Sequence, residues 1–179
     1  MERLGAALAA QIPSIQSGNV LLLHGDLGSG KTCLARGFAR TWCCDPSMDV
    51  TSPTYLLINT YNPPETSTCD LPTYLCDYAS TSYMGFLHVC RRHTLHHMDL
   101  YRLDSVTSTD VEALGLEDAF TTGTSIVEWP DRLQVLPTPR LDVHIKYTDV
   151  EGERQVHVVA HGAKWEPVEA WFREISSLT

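Results

Sequence analysis

A short apolar run, a glycine-rich loop and a helical stretch, in immediate succession, constrain this chain more than any other feature. Val20-Leu21-Leu22-Leu23 reads as a buried strand. Gly25-Asp26-Leu27-Gly28-Ser29-Gly30-Lys31-Thr32 follows, in the form G-x-x-x-x-G-K-T. The next stretch, Cys33 to Trp42, reads as a helix with Leu34, Phe38 and Trp42 near one face. Strand, glycine loop and helix together are the context that makes this pattern a phosphate-binding loop. Glycines let the backbone turn its N–H groups inward on an anion, and the helix start adds a positive dipole end. With glycine at roughly 7% of residues, the pattern arises by chance in about one such chain in a few hundred, before strand and helix are counted. The expected roles are a Lys31 contact to the β- and γ-phosphates and a Thr32 hydroxyl on Mg²⁺.

Length permits one well-buried domain, so residues 1–179 are read as a single unit. A net charge of −9 disfavours tight direct binding to nucleic-acid phosphates. No apolar run reaches membrane length, so no membrane association is expected. Met1 to Ala10 lacks the basic start of a secretory signal. A nucleotide loop implies a reducing compartment, and the 6 cysteines are accordingly read as thiols.

Along the chain, Glu2 to Gln11 reads as a helix and Gly18-Asn19 as the turn into the first strand. Val50 to Tyr61 begins as a loop fixed by Pro53 and continues as a strand. Residues 62–93 carry Pro63-Pro64, Pro72 and many Ser and Thr without periodicity, and read as a long inserted loop. Leu95 to Tyr101 returns to strand character. Two short helices are expected, over Asp110 to Leu114 and Leu116 to Phe120, with Gly115 between them. Thr124 to Trp129 reads as a strand, Leu141 to Tyr147 and Gln155 to Val159 as a hairpin turning at Glu151-Gly152, and Glu166 to Leu178 as an amphipathic helix. The fold class is therefore α/β, with a mixed sheet, parallel at its centre and antiparallel at its flanks.

Asp99 and Glu128 both end predicted strands, where a phosphate-loop fold places its metal and its water-positioning group. Each also admits a plain reading: a surface or helix-capping Asp, and a loop Glu beside a core Trp129. Thr51-Ser52-Pro53-Thr54 offers hydroxyls on a stiffened loop that either sense a γ-phosphate or form an ordinary polar turn. Cys69, Cys76, Cys90, His93, His96 and His97 match no standard zinc spacing.

Taken in order, Gly25 to Thr32, Ser52-Pro53-Thr54-Tyr55, Asp99-Leu100-Tyr101-Arg102-Leu103, Glu112-x-Leu114-Gly115 and Glu128-Trp129-Pro130 closely resemble the TsaE (YjeE) family. This is the small ATPase family of bacterial-type tRNA threonylcarbamoyladenosine synthesis. The resemblance runs from about Leu4 to Ala160. It implies a three-layer P-loop NTPase-like fold, ATP with Mg²⁺ as cofactors, and weak, partner-dependent ATP hydrolysis. The implied partners are TsaD and TsaB homologues, with tRNA engaged indirectly through that complex. Carried over by position, Gly25, Asp26, Leu27, Gly28, Ser29, Gly30, Lys31, Thr32 and Cys33 form the phosphate site. Thr32, Asp99 and Glu128 take the metal, Thr54 is the switch-like threonine, and Trp129 pairs with Glu128 near the nucleotide. The turn from Gly152 to Arg154 corresponds to a region that approaches the adenine.

Three departures from the family pattern stand out. Met1 occupies the place of a family threonine near the base, Cys33 replaces a second Thr or Ser after the lysine, and the 62–93 insertion is much longer than the bacterial connection. The insertion points to a divergent or eukaryotic homologue, with a mitochondrial or plastid location in that case and a cytoplasmic one in a bacterium. The rival function is a small-molecule kinase on the same loop. Such an enzyme needs an arginine-rich lid, for which Arg102 and Arg132 are thin support.

Overall fold

Alternation within β1 (Asn19–His24) decides the layering. Leu21 and Leu23 enter one apolar cluster, and Val20 and Leu22 enter a second. A strand buried on both faces needs elements on both sides, and the chain supplies them. The computed structural model describes residues 1–12, 17–54, 57–63 and 93–177. Among these, α1 (Glu2–Gln11), α2 (Lys31–Trp42) and α5 (Glu166–Ser176) contribute to the first cluster. Leu116 and Ala119 of α4 (Leu116–Thr122) contribute to the second, together with Leu100, Val106 and Leu133.

The sheet has 6 strands in the order β2-β3-β4-β1-β5-β6, with β2 spanning Ile58–Tyr61, β3 Leu95–Asp99, β4 Thr124–Glu128, β5 Arg140–Tyr147 and β6 Arg154–His161. β3, β4, β1 and β5 pair in parallel, while β2 and β6 close the two edges antiparallel. This is the mixed sheet expected from the sequence. Of the 62–93 insertion, residues 64–92 lie outside the described residues; β2 and β3 on either side of it pair directly.

Several boundaries shift for local reasons. The α2 helix begins at Lys31 rather than Cys33, which puts Lys31 and Thr32 in its first turn. The α3 helix (Ser108–Ala113) starts ahead of Asp110, because Thr107 and Asp110 form a reciprocal capping box. β3 stops at Asp99, where the Asp99 carboxylate accepts the Tyr101 N–H at 3.0 Å and turns the chain away. Cys44 is disulfide-bonded, which corrects the all-thiol expectation, whereas Cys33 and Cys43 are free. Cys43 is buried at the end of α2, and burial pushes its thiol up to about 12. Cys44 leaves that helix end at φ 54, less buried than its neighbour and so available for pairing.

Two glycines that carry no signal in the sequence bring α1 against α2. A Cβ on Gly37 would lie 1.9 Å from the Glu2 carbonyl oxygen, and one on Gly5 would lie 2.0 Å from that of Leu34. Above this contact Glu2 bridges Arg36 at 3.0 Å and Arg40 at 3.5 Å, both half-exposed pairs of small worth. Gly37→Ala gains about 1 kcal/mol of helix propensity, but its methyl meets backbone that cannot rotate away. The clash wins: a net loss of about 3 kcal/mol is expected, seen as a fall in thermal midpoint on the order of 10 °C. An unchanged melting curve would mean that the helices do not approach this closely.

Candidate functional site

The parallel register assembles the site before any side chain is placed. Glu128 pairs with Leu23 on one side and with Asp99 on the other. The carboxyl ends of β1, β3 and β4 therefore lie side by side, where parallel α/β sheets hold their ligands. Leu95, buried in the α1–α2 cluster, shares its face of β3 with His97 and Asp99. Ile126 does the same for Glu128 on β4. Both acids accordingly face the start of α2.

The loop between β1 and α2 depends on its glycines. Gly25 has φ 147, and a Cβ there would lie 2.5 Å from the Ile145 carbonyl oxygen; Gly30 has φ 106 at the entry to α2. Lys31 is buried and donates to the carbonyls of Gly25 at 2.6 Å and Asp26 at 2.8 Å. Its ammonium also stands 4.0 Å from the centre of the Trp129 ring. Burial lowers the Lys31 pKa, and the negative charges of Glu128, Asp99 and Asp26 oppose that shift.

Thr32, one residue on, donates its hydroxyl to Glu128 Oε2 at 3.0 Å. The other oxygen of Glu128 bonds His97 Nε2 at 2.8 Å, in a pair buried from solvent on both sides. Asp99 Oδ2 accepts the Thr54 hydroxyl at 2.8 Å and the Ser52 hydroxyl at 2.5 Å, and these two hydroxyls also touch each other. Thr32, Glu128, Asp99, Ser52 and Thr54 thus converge beside Lys31. They offer only hard oxygen donors, the set suited to Mg²⁺.

Trp129 holds a left-handed backbone, φ 60 and ψ 51. For a bulky residue this conformation costs roughly 1–2 kcal/mol, so neighbouring contacts must hold it. The Lys31 ammonium and the Tyr101 ring, 5.0 Å away and tilted by 44°, lie against its indole. This strain places an aromatic at the loop's mouth. Cys33 is half-buried in the first turn of α2, and the exposed Leu27 and Asp26 form the loop's outer rim. Met1 lies against Gly30, where an added Cβ would come within 2.9 Å of its side chain.

Two contributors, His97 and Tyr147, have no role assigned from the sequence, and two others, Ser52 and Arg154, appear there only as members of a loop and a turn. His97 reads there only as a break in an apolar strand, although its i−2 relation to Asp99 puts it on the same face. Ser52 is one of several loop hydroxyls. Tyr147 and Arg154 close the loop from the β5–β6 side. Tyr147 donates to the Leu27 carbonyl at 2.8 Å, Arg154 donates to that of Ser29 at 3.3 Å, and its guanidinium stacks 4.2 Å from the Tyr147 ring. The two are cross-strand partners, so the hairpin assignment already contains this pairing. Arg154 is a cation on the phosphate loop itself, additional to the Arg102 and Arg132 noted in the sequence.

Comparison with known proteins supplies the remaining findings. Residues 1–156 match the family model described as threonylcarbamoyl adenosine biosynthesis protein TsaE. The tRNA threonylcarbamoyladenosine biosynthesis protein TsaE of Bacillus subtilis is 32% identical over 151 residues, covering 83% of this chain and 74% of that relative. Its namesake in Rickettsia bellii is 30% identical over 137 residues, covering 76% of this chain and 74% of that relative. The crystal structure of Bacillus subtilis YdiB superposes with a TM-score of 0.57 at 26% identity, covering 97% of this chain and 88% of that one. These relatives are bacterial. No helix among the described residues is long and apolar enough to cross a membrane.

Proposed function

The chain belongs to the TsaE family, and from that premise we propose that it is a Mg²⁺-dependent ATPase supporting turnover of a TsaD–TsaB complex during tRNA threonylcarbamoyladenosine formation. One observation carries the reading: Lys31, Thr32, Glu128, Asp99 and Thr54 converge at the carboxyl ends of three adjacent parallel strands. In this proposal the backbone of Gly25, Asp26, Leu27, Gly28, Ser29 and Gly30, with Lys31, Thr32 and Cys33 at the helix start, receives the phosphates. Lys31 exchanges its two carbonyl bonds for phosphate oxygens. Thr32, Asp99 and Glu128 hold Mg²⁺, which would supply neutralising charge to the phosphates when bound. Glu128, fixed by His97, orients the attacking water. Ser52 and Thr54, both on Asp99, respond to what occupies the metal site, and Trp129 carries that response to the protein surface.

Residues 1–179 act as one ATPase domain in this reading, with the 62–93 insertion as an addition between the edge strand β2 and its neighbour β3. Transfer of threonylcarbamoyl to tRNA belongs to the partners, which accords with the net charge of −9 on this chain. The test is phosphate release from ATP by the full chain alone, with candidate hydroxyl acceptors, and with matched TsaD and TsaB. Slow release to water alone, faster with the partners and unaffected by acceptors, is expected. Trp129→Ala is expected to reduce the partner effect more than it reduces ATP affinity. Phosphate recovered on an acceptor would make the protein a kinase instead.

A further inference from the structure

The sheet carries a second polar cluster, on the face opposite α2. Val20 and Leu22 share that face of β1 with His24, and on β5 it presents Asp142 and His144 between the inward Leu141, Val143 and Ile145. His24 and His144 are cross-strand partners, and their rings stack with centres 4.3 Å apart. One ligand atom from each of His24, Asp142 and His144 lies within 4.8 Å of the other two. His24 Nε2 is buried without a hydrogen-bond partner and stands 3.7 Å from Asp142 Oδ1, too long for an ordinary hydrogen bond. Two donors sharing a tetrahedral ion at about 2.0–2.1 Å each sit roughly 3.3–3.4 Å apart, so a few tenths of an ångström separate this pair from chelating distance.

The surroundings match the outer shell of such a centre. On β6, His161 Nε2 bonds the other Asp142 oxygen at 2.9 Å, in the manner of a carboxylate oriented by a second group. Arg140 Nε lies 3.0 Å from Asp142 Oδ1. An ion here must share that oxygen with a guanidinium, which disfavours weakly bound hard cations and favours ions that gain strongly from imidazole. We propose that His24, Asp142 and His144 form a binding site for a borderline transition-metal ion of the zinc class. The site is separate from the oxygen-only cluster around Lys31, and the nucleotide function does not require it. It lies directly behind the phosphate loop, since His24 is the residue before Gly25.

The experiment uses the full-length, tag-free chain, stripped with chelator and titrated with Co²⁺ under visible spectroscopy, then with Zn²⁺ as competitor. One Co²⁺ per chain is expected, with ligand-field bands that Zn²⁺ abolishes. His144→Gln removes a half-exposed side chain, so the fold should survive, as circular dichroism will show; Co²⁺ affinity should fall at least about tenfold. Glu128→Gln, in the other cluster, and His157→Gln, on β6 and outside the trio, should both leave the bands intact. The proposal is overturned if no stoichiometric Co²⁺ binds. Bands that survive His144→Gln, or that vanish instead with Glu128→Gln, overturn it equally.

Discussion

Lys31→Ala is expected to weaken ATP binding by roughly ten- to a hundredfold, and to leave the fold in place. The side chain is buried, yet all its described contacts belong to the loop and its mouth: two carbonyl oxygens and the Trp129 ring. Deleting it removes a charge-assisted bond to phosphate worth roughly 1.5–3 kcal/mol, hence the stated range. It also removes an ammonium whose burial was already costly, as its lowered pKa shows. Two opposing effects on stability follow. The Gly25 and Asp26 carbonyls lose a donor but lie at the loop's partly open rim, where water replaces it. Isothermal titration with ATP and Mg²⁺, beside a thermal melt, measures both. Unchanged affinity would remove the loop from the proposed mechanism.

Asp99→Asn and Glu128→Gln are expected to lower Mg²⁺-dependent hydrolysis by at least about a hundredfold, the lower bound for a positioned acid or base. Both substitutions keep size and hydrogen-bonding atoms. After Glu128→Gln the new amide can still meet Thr32 and His97. After Asp99→Asn the new amide can still meet Ser52, Thr54 and the Tyr101 N–H. What disappears is negative charge at two adjacent strand ends. Glu128→Ala is a harsher change, because it strands the fully buried His97 imidazole without its partner. Comparing Gln with Ala at this position therefore separates the loss of chemistry from the loss of support. Parent-rate hydrolysis by both isosteric variants would contradict the metal and water-positioning roles.

Much of this architecture is legible because local signals agree. The apolar run before Gly25, the glycine spacing and the helix after Thr32 each favour one arrangement, and β1, the loop and α2 follow them. The hairpin is legible from strict alternation on both sides of Glu151-Gly152. Other features depend on partners far along the chain. Gly5 and Gly37 look dispensable until α1 lies on α2. His97 reads as a defect in an apolar strand until the parallel register sets Glu128 beside it. Trp129 gives no sequence sign that its backbone is left-handed, since the conformation is held by Lys31 and Tyr101, both distant in sequence. The His24–Asp142–His144 group is invisible for the same reason: its members join only when β1 pairs with β5.

The central claim is that nucleotide hydrolysis at this site resets a tRNA-modifying complex. Formation of threonylcarbamoyladenosine by matched TsaD and TsaB, followed beyond one equivalent of product per complex, tests it most directly. With this chain and ATP the account predicts repeated rounds. With a non-hydrolysable ATP analogue, or with Glu128→Gln and ATP, it predicts a halt near the first round. Repeated rounds at the same rate without this chain, or with the analogue in place of ATP, would contradict it.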